Sequence, residues 1–248
     1  MTVQPFATVG PTRIRRRYAA LVIASPKASS EATSTAGRSV RASVLFGSVA
    51  VIAASYWRWG RPWQLTWGST DEEVEGALPG DEVVGWPSFN ATRAVSVSAP
   101  PECIYPWLVQ MGVGRAGWYS YDLLDNLARP SAREILPQHQ QIEVGDVVPM
   151  SPDGLQGMEV LDFTQDRWLL WWDGLGDSTW VWSIEPGEDG TSRLVSRVRM
   201  RYRWLSPSIL FALLVEFFDL MMMRRAMLGI KQRAETLSSA RSAGFSKN

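Results

Sequence analysis

Glu216 and Asp219 carry the most chemical promise in this 248-residue chain. They lie in "SILFALLVEFFDLMMMRRAMLGIKQRAETL", a long proline-free run that predicts one helix after Pro207. A spacing of three puts both carboxyl groups on one helix face. Neither acid has Lys or Arg three or four residues further on; those positions hold Asp219 and Leu220, then Met222 and Met223. Two such acids on an apolar helix need partners elsewhere in the fold or carry raised pKa values. Arg115, Tyr119, Tyr121 and a basic strand before the helix are the candidate partners. Two outcomes stay open. One is a polar cluster at the end of a cavity, orienting a ligand or transferring protons, with Glu216, Asp219 and Tyr119 as catalytic candidates. The other is a helix face salt-bridged to a loop, with no chemistry.

Other chemistries find less support. Gly112, Gly114 and Gly117 in "MGVGRAGWYSYD" match the spacing G-x-G-x-x-G of a dinucleotide-binding turn. That turn needs a strand before it and a helix after it. Here "PPECIYPWLVQM" starts like a helix, and bulky Trp118-Tyr119 follow. The glycines therefore predict a loop between two short helices, the second being "YSYDLLDNLAR". The single His139 lies in the polar loop "LPQHQQ", and there is one cysteine, Cys103. One of each makes a zinc site of the usual kind or a Cys–His dyad improbable. No G-x-S-x-G or P-loop sequence occurs. No cofactor and no metal are expected.

The elements that must position these residues are legible from periodicity. Thr70 is an N-cap, with Asp71, Glu72 and Glu73 in the first turn of a short helix stopped at Pro79-Gly80. "TRAVSVSA" alternates as a strand, and Pro100-Pro101-Glu102 open a helix that Pro106 keeps short or bent. From residue 144 short strands follow: "VGDVVPM", "GMEVLDF", "RWLLWWD" and "TWVWSIE". The last strand, "TSRLVSRVRMRYRW", sets Leu194, Ser196, Val198, Met200 and Tyr202 on one face. Arg193, Arg197, Arg199, Arg201 and Arg203 occupy the other. The arginine face is expected to be solvated, which also guards the sheet against edge pairing. The final helix is long enough to span a membrane, but its two central acids oppose that, and burial against the sheet is expected.

The formal net charge is zero, yet residues 1–66 carry nine basic groups and one acid, Glu31, against a net of −8 in the remainder. Residues 1–41 are expected to be disordered: they hold the basic cluster Arg13, Arg15, Arg16 and Arg17, then Ser, Ala and Thr. No nucleic-acid recognition pattern accompanies the cluster, so it reads as a solvated tail. Residues 42–57 are uncharged and mostly apolar, slightly short of a spanning helix; Trp57, Trp59 and Trp63 with Arg58 and Arg61 follow as an interfacial belt would. A membrane anchor within 42–62, a segment cleaved near Ala53-Ala54-Ser55 and a helix docked on the body stay open. The expected location is membrane-associated, with cytoplasmic as the alternative.

Four blocks, "LTWGSTDEEVEGALPGDEVV", "PWLVQMGVGRAGWYSYDLLDN", "ILPQHQQIEVGDVVPM" and "MLGIKQRAE", resemble a bacterial branch of the START-like (SRPBCC) superfamily. That superfamily includes polyketide cyclases and dehydratases, lipid-transfer domains and pollen-allergen-type binders. The resemblance covers roughly residues 63–236. It implies an α+β helix-grip fold, a curved antiparallel sheet wrapped around the long C-terminal helix, in a ligand-binding domain at residues 63–238; residues 239–248 are expected to be a disordered tail. It further implies an apolar cavity whose partner is a lipid-like or polycyclic small molecule, or else a cyclase/dehydratase using carboxylates and tyrosines there. The residues expected around the ligand are Arg115, Trp118, Tyr119, Tyr121, Met158, Trp180, Trp182, Val198, Met200, Tyr202, Glu216 and Asp219, with Trp118 to Asp122 at the mouth.

Overall fold

The computed structural model describes residues 44, 47, 48, 51, 52, 54–202 and 208–245. The chain divides into two units, Met1–Ala54 and Ser55–Asn248. In the first, the described residues are helical, and Ser48 Oγ donates to the Val44 carbonyl at 2.9 Å. Residues 42, 43, 45, 46, 49, 50 and 53 of the expected apolar segment lie outside the described residues. Among those described, no helix is long and apolar enough to cross a membrane.

The second unit opens with a π-helical turn, Tyr56–Gly60, that runs into α1 (Arg61–Leu65). Helix α2 (Asp71–Glu75) begins with a full capping box. Glu73 N donates to Thr70 Oγ1, and Thr70 N donates to the Glu73 carboxylate. Strand β1 (Phe89–Val97) leads to α3 (Pro101–Val109), which keeps Pro106 inside it. The expected second helix shrinks to α4 (Asp122–Asp125), because Leu127 and Ala128 take positive φ and end it. Then come β2 (Val147–Pro149), β3 (Gly157–Thr164), β4 (Trp168–Trp172), β5 (Ser178–Pro186), β6 (Ser192–Met200) and the long helix α5 (Ser208–Phe245).

The six strands form one antiparallel sheet in the order β1-β6-β5-β4-β3-β2. A bulge between Val160 and Asp162 breaks the register of β3 against β4, which bends the sheet. The curved sheet grips α5, which packs on α3 and β1. This is the α+β helix-grip arrangement. Its core joins Ile104 and Leu108 of α3, Trp171 and Trp182 of the sheet, and Met227 and Ile230 of α5. Full burial of each such side chain contributes about 1.5–3 kcal/mol.

The three glycines of the dinucleotide-like motif close a tight turn. Gly112 and Gly117 bridge each other in antiparallel fashion, with φ of +130° and +80°. A side chain at Gly117 would strike Ser131 Oγ at 2.5 Å. A helix precedes this turn and buried Trp118 follows it, so the strand–turn–helix of a nucleotide site is absent here.

The outer arginine face is not solvated. The segment from Gly68 to Val84 lies across it and neutralises it. Arg193 pairs with Glu73 at 2.6 Å, and Arg197 and Arg199 both pair with Asp81, at 2.6 and 2.8 Å. Arg197 is only 2% exposed, whereas Arg201, paired with Asp177, stays open to solvent. Arg203 lies outside the described residues. An alternating strand shows which residues share a face, but not what covers that face.

Candidate functional site

The two helix acids find partners, but not the expected ones. Glu216 is buried and takes Arg61 Nε at 2.6 Å on Oε1. Its Oε2 accepts from Tyr202 Oη at 3.0 Å and from Arg61 Nη2 at 3.4 Å. The Gln64 amide donates to the Glu216 carbonyl, while Tyr56 Oη donates to Gln64 Oε1 at 3.0 Å. Asp219 takes Arg93 Nη1 at 2.5 Å, and Arg93 Nε donates to the Gln64 carbonyl at 3.0 Å. Burial raises the Asp219 carboxyl above the usual range, and the Arg93 charge opposes that shift. Burial, followed by the Glu216 charge, pushes the Tyr202 hydroxyl well up. The network ties α1, β1 and the end of β6 to α5. Glu216 is engaged by Arg61 and Tyr202 together.

Tyr119 belongs to a different neighbourhood. It adopts φ +58°, unusual for a residue with a side chain, and Ser131 Oγ holds its amide at 3.0 Å. Its hydroxyl donates to the Trp107 carbonyl at 3.0 Å and accepts from Gln110 Nε2 at 3.1 Å. Burial pushes this hydroxyl far up as well. Tyr119 shares no partner with Glu216 or Asp219, so the three catalytic candidates do not converge.

What does converge is an apolar cleft of about 500 Å³ between the loop after the glycine turn, β5 and α5. Trp118 and Trp180 stack at 5.9 Å and 12° to make one wall, with Trp171 edge-on to Trp180 at 5.2 Å. Met222, Met223 and Ala226 come from α5, and Phe218, Leu124 and Leu127 stand partly open to solvent at the rim. Three polar residues line the cleft: Ser120, Asp125 and Asp219. Ser120 Oγ is committed to the Met222 carbonyl at 3.0 Å. Both oxygens of Asp125 are buried, with Ser120 and the Tyr121 backbone near them but no hydrogen bond of ordinary geometry. Burial raises the Asp125 carboxyl above the usual carboxylate range, against the lowering influence of nearby Ser120.

The sign of the resulting pH dependence is definite. The folded chain holds this proton more tightly than the unfolded chain, so stability falls as pH rises from the ordinary value of 3.8 toward the raised one. Asp125→Asn is therefore expected to be more stable than the parent at about pH 7 and equal to it at about pH 3. Urea unfolding at both pH values checks this; a difference that does not change with pH would mean that the carboxyl titrates normally.

Of the residues expected around a ligand, Trp118, Trp180 and Asp219 line this cleft. Tyr121 is largely exposed, and Trp182 is wholly buried in the core. Val198 and Tyr202 pack with Phe89, Met200 lies against that cluster, and Met158 lies against the main core. Arg115 points away, its guanidinium donating to the Val109 carbonyl at 3.0 Å. His139 sits in a single 3-10 turn, its pKa lowered by burial and then by Arg115. Asp122 bonds Ser131 rather than opening onto the cleft. Ser120 lies in the expected mouth, whereas Asp125, Met150, Met222 and Met223 are not among the residues expected around a ligand. The signal for Asp125 was present: in "DLLD" two acids three apart flank two leucines, the same spacing that singled out Glu216 and Asp219.

No protein-family model matches the chain, and no curated protein matches it in sequence. Among solved structures, it is similar to the Polyketide_cyc-like protein Cgl2372 from Corynebacterium glutamicum, at 15% identity and a TM-score of 0.31, covering 63% of this chain and 93% of that one. It is also similar to KanY, at 11% identity and a TM-score of 0.39, covering 59% and 97%. A third is PFC0360w, an HSP90 activator from Plasmodium falciparum, at 13% identity and a TM-score of 0.35, covering 56% and 94%. Similarities of this size carry no weight for activity, and the helix-grip assignment rests on the strand order and the gripped helix themselves.

Proposed function

We propose that this chain binds an apolar small molecule in the cleft between Trp118, Trp180 and α5, with Asp125 as its polar contact. The observation that carries this reading is a buried, weakly hydrogen-bonded carboxyl group in the lining of a mostly apolar cleft. A cleft of about 500 Å³ falls in the range of small-molecule sites, where apolar walls supply affinity and a few polar groups fix orientation. A protonated carboxyl donates to a carbonyl or ether oxygen, and an ionised one accepts from a hydroxyl or amine. Asp219 and Glu216, already paired with arginines, then serve to hold α5 in place rather than to bind ligand. Residues 42–62 are proposed to keep the domain beside a lipid–water interface; the exposure of Trp57, Trp59 and Trp63 next to Arg58 supports this.

A second reading is favoured by the raised pKa of Asp125. A carboxyl that burial makes harder to ionise can protonate a carbonyl or a leaving hydroxyl, as a cyclase or dehydratase requires. Binding is tested by titrating the full chain with Nile red, and with dodecanol as competitor. Met222→Glu, which sets a charge on the apolar wall, is expected to weaken Nile red binding by about tenfold or more. A parent protein that binds neither probe sinks both readings.

A further inference from the structure

A second cavity, a groove of about 730 Å³, runs along the other part of α5 and shares only Ser120 with the lining of the apolar cleft. Arg225, Gly229 and Arg233 follow one another at spacings of four, which sets them in a stripe along the groove. Gly229 lets the helix approach closely, since a side chain there would collide with the Tyr119 carbonyl. The facing wall, from Pro130 to Ile135, contributes Arg133.

Arg233 is held rigidly. Its Nε donates to the Ala132 carbonyl at 2.8 Å and its Nη1 to the Gly229 carbonyl at 3.1 Å. The guanidinium lies over the Tyr119 ring at 4.6 Å, leaving Nη2 available to a ligand. Burial lowers the Arg233 pKa; Tyr119 and the Asp122 charge oppose this, and the charges of Arg133 and Arg225 lower it further, so the three cations feel one another. Neither Arg133 nor Arg225 forms an ion pair among the described residues. Two acids share the groove, Asp122 and Glu134, and Asp122 already accepts from Ser131. The charged side chains thus leave a net positive groove, with Gln232 as a neutral donor beside it.

We propose that the Arg133–Arg225–Arg233 groove binds an oxyanion of the phosphate type, either free or as a lipid headgroup. Guanidinium forks match the oxygen geometry of such groups in a bidentate manner, and a multiply charged anion relieves the mutual repulsion of three arginines. The groove does not depend on the reading of the apolar cleft, because none of the three arginines lines that cleft.

The test is calorimetric titration of the full chain at low ionic strength with two probes: inorganic pyrophosphate, and dihexanoyl phosphatidic acid as a monomeric lipid phosphate. The double substitution Arg133→Gln/Arg225→Gln affects two exposed side chains and is expected to leave the melting temperature unchanged. It is expected to weaken binding by about tenfold or more, while Met222→Glu leaves pyrophosphate binding unchanged. Equal affinity for the two probes identifies free phosphate as the source, and tighter binding of the lipid phosphate identifies a headgroup. If the parent binds neither probe, or if the double variant binds as the parent does, the proposal is overturned.

Discussion

Replacing Arg197 by alanine is expected to destabilise the protein by about 3–5 kcal/mol, the cost of breaking a buried ion pair from one side. Arg197 donates to Thr92 Oγ1 at 2.8 Å and to Asp81 Oδ2 at 2.6 Å. It also donates to the carbonyls of Glu73, Val74 and Gly76 at 2.7, 2.9 and 2.9 Å. Those three carbonyls are at the C-terminal end of α2, where a helix leaves its acceptors unsatisfied and its dipole is negative. One guanidinium from β6 therefore caps the helix that covers β6. Alanine would strip these acceptors of their donor without letting water in. Lysine, which offers one compact charge in place of a planar fork, is expected to recover only part of the loss. Chemical denaturation measures both; a loss under about 1 kcal/mol for alanine would mean that Glu73 and Asp81, through Arg193 and Arg199, hold the covering segment by themselves.

The second large effect is expected at Arg93, which is 1% exposed on the inner face of β1. Arg93→Ala leaves Asp219 without its counter-charge beneath α5, at an expected cost of about 3–5 kcal/mol. Because the cost comes from a stranded charge, removing both charges should restore most of it. Arg93→Met with Asp219→Leu is expected to come within about 1–2 kcal/mol of the parent, the remainder being the Gln64 carbonyl that Arg93 Nε now serves. A double variant as unstable as the single one would show that Arg93 matters for its packing or its hydrogen bond to Gln64. Since Asp219 also lines the apolar cleft, Nile red affinity of the double variant reports whether its carboxyl contributes to binding.

The two arginines illustrate the limits of reading a chain by pattern. Alternation in β6 separates Leu194, Val198 and Tyr202 from Arg193, Arg197 and Arg199 correctly, since the pleat is a local property of the backbone. An arginine-rich face looks solvated by the same rule. Here the fold lays acidic α2 and Asp81 over it, and a nominal surface becomes a second, polar core. Arg93 is the converse case, a charged residue on the inner face, tolerated because α5 brings an aspartate to it.

Local chemistry determined much of this protein from the sequence by itself. The capping box at Thr70, the glycine turn at Gly112 to Gly117, the strands from residue 147 onward and the long last helix all follow from short-range spacing and backbone preference. The presence of two acids on one helix face was equally local. Which groups satisfy those acids was not. Arg61 lies 155 residues from Glu216 and Arg93 lies 126 from Asp219, and only the packing of α1 and β1 on α5 brings them within reach. The same holds for Asp125: its raised pKa comes first from burial, which the local sequence does not show. Element type is decided within a few residues. Charge state, partner and cavity are decided by desolvation and by contacts across the fold, which is why only the tertiary structure pairs Glu216 with Arg61 and sets Asp125 in the lining of a cleft.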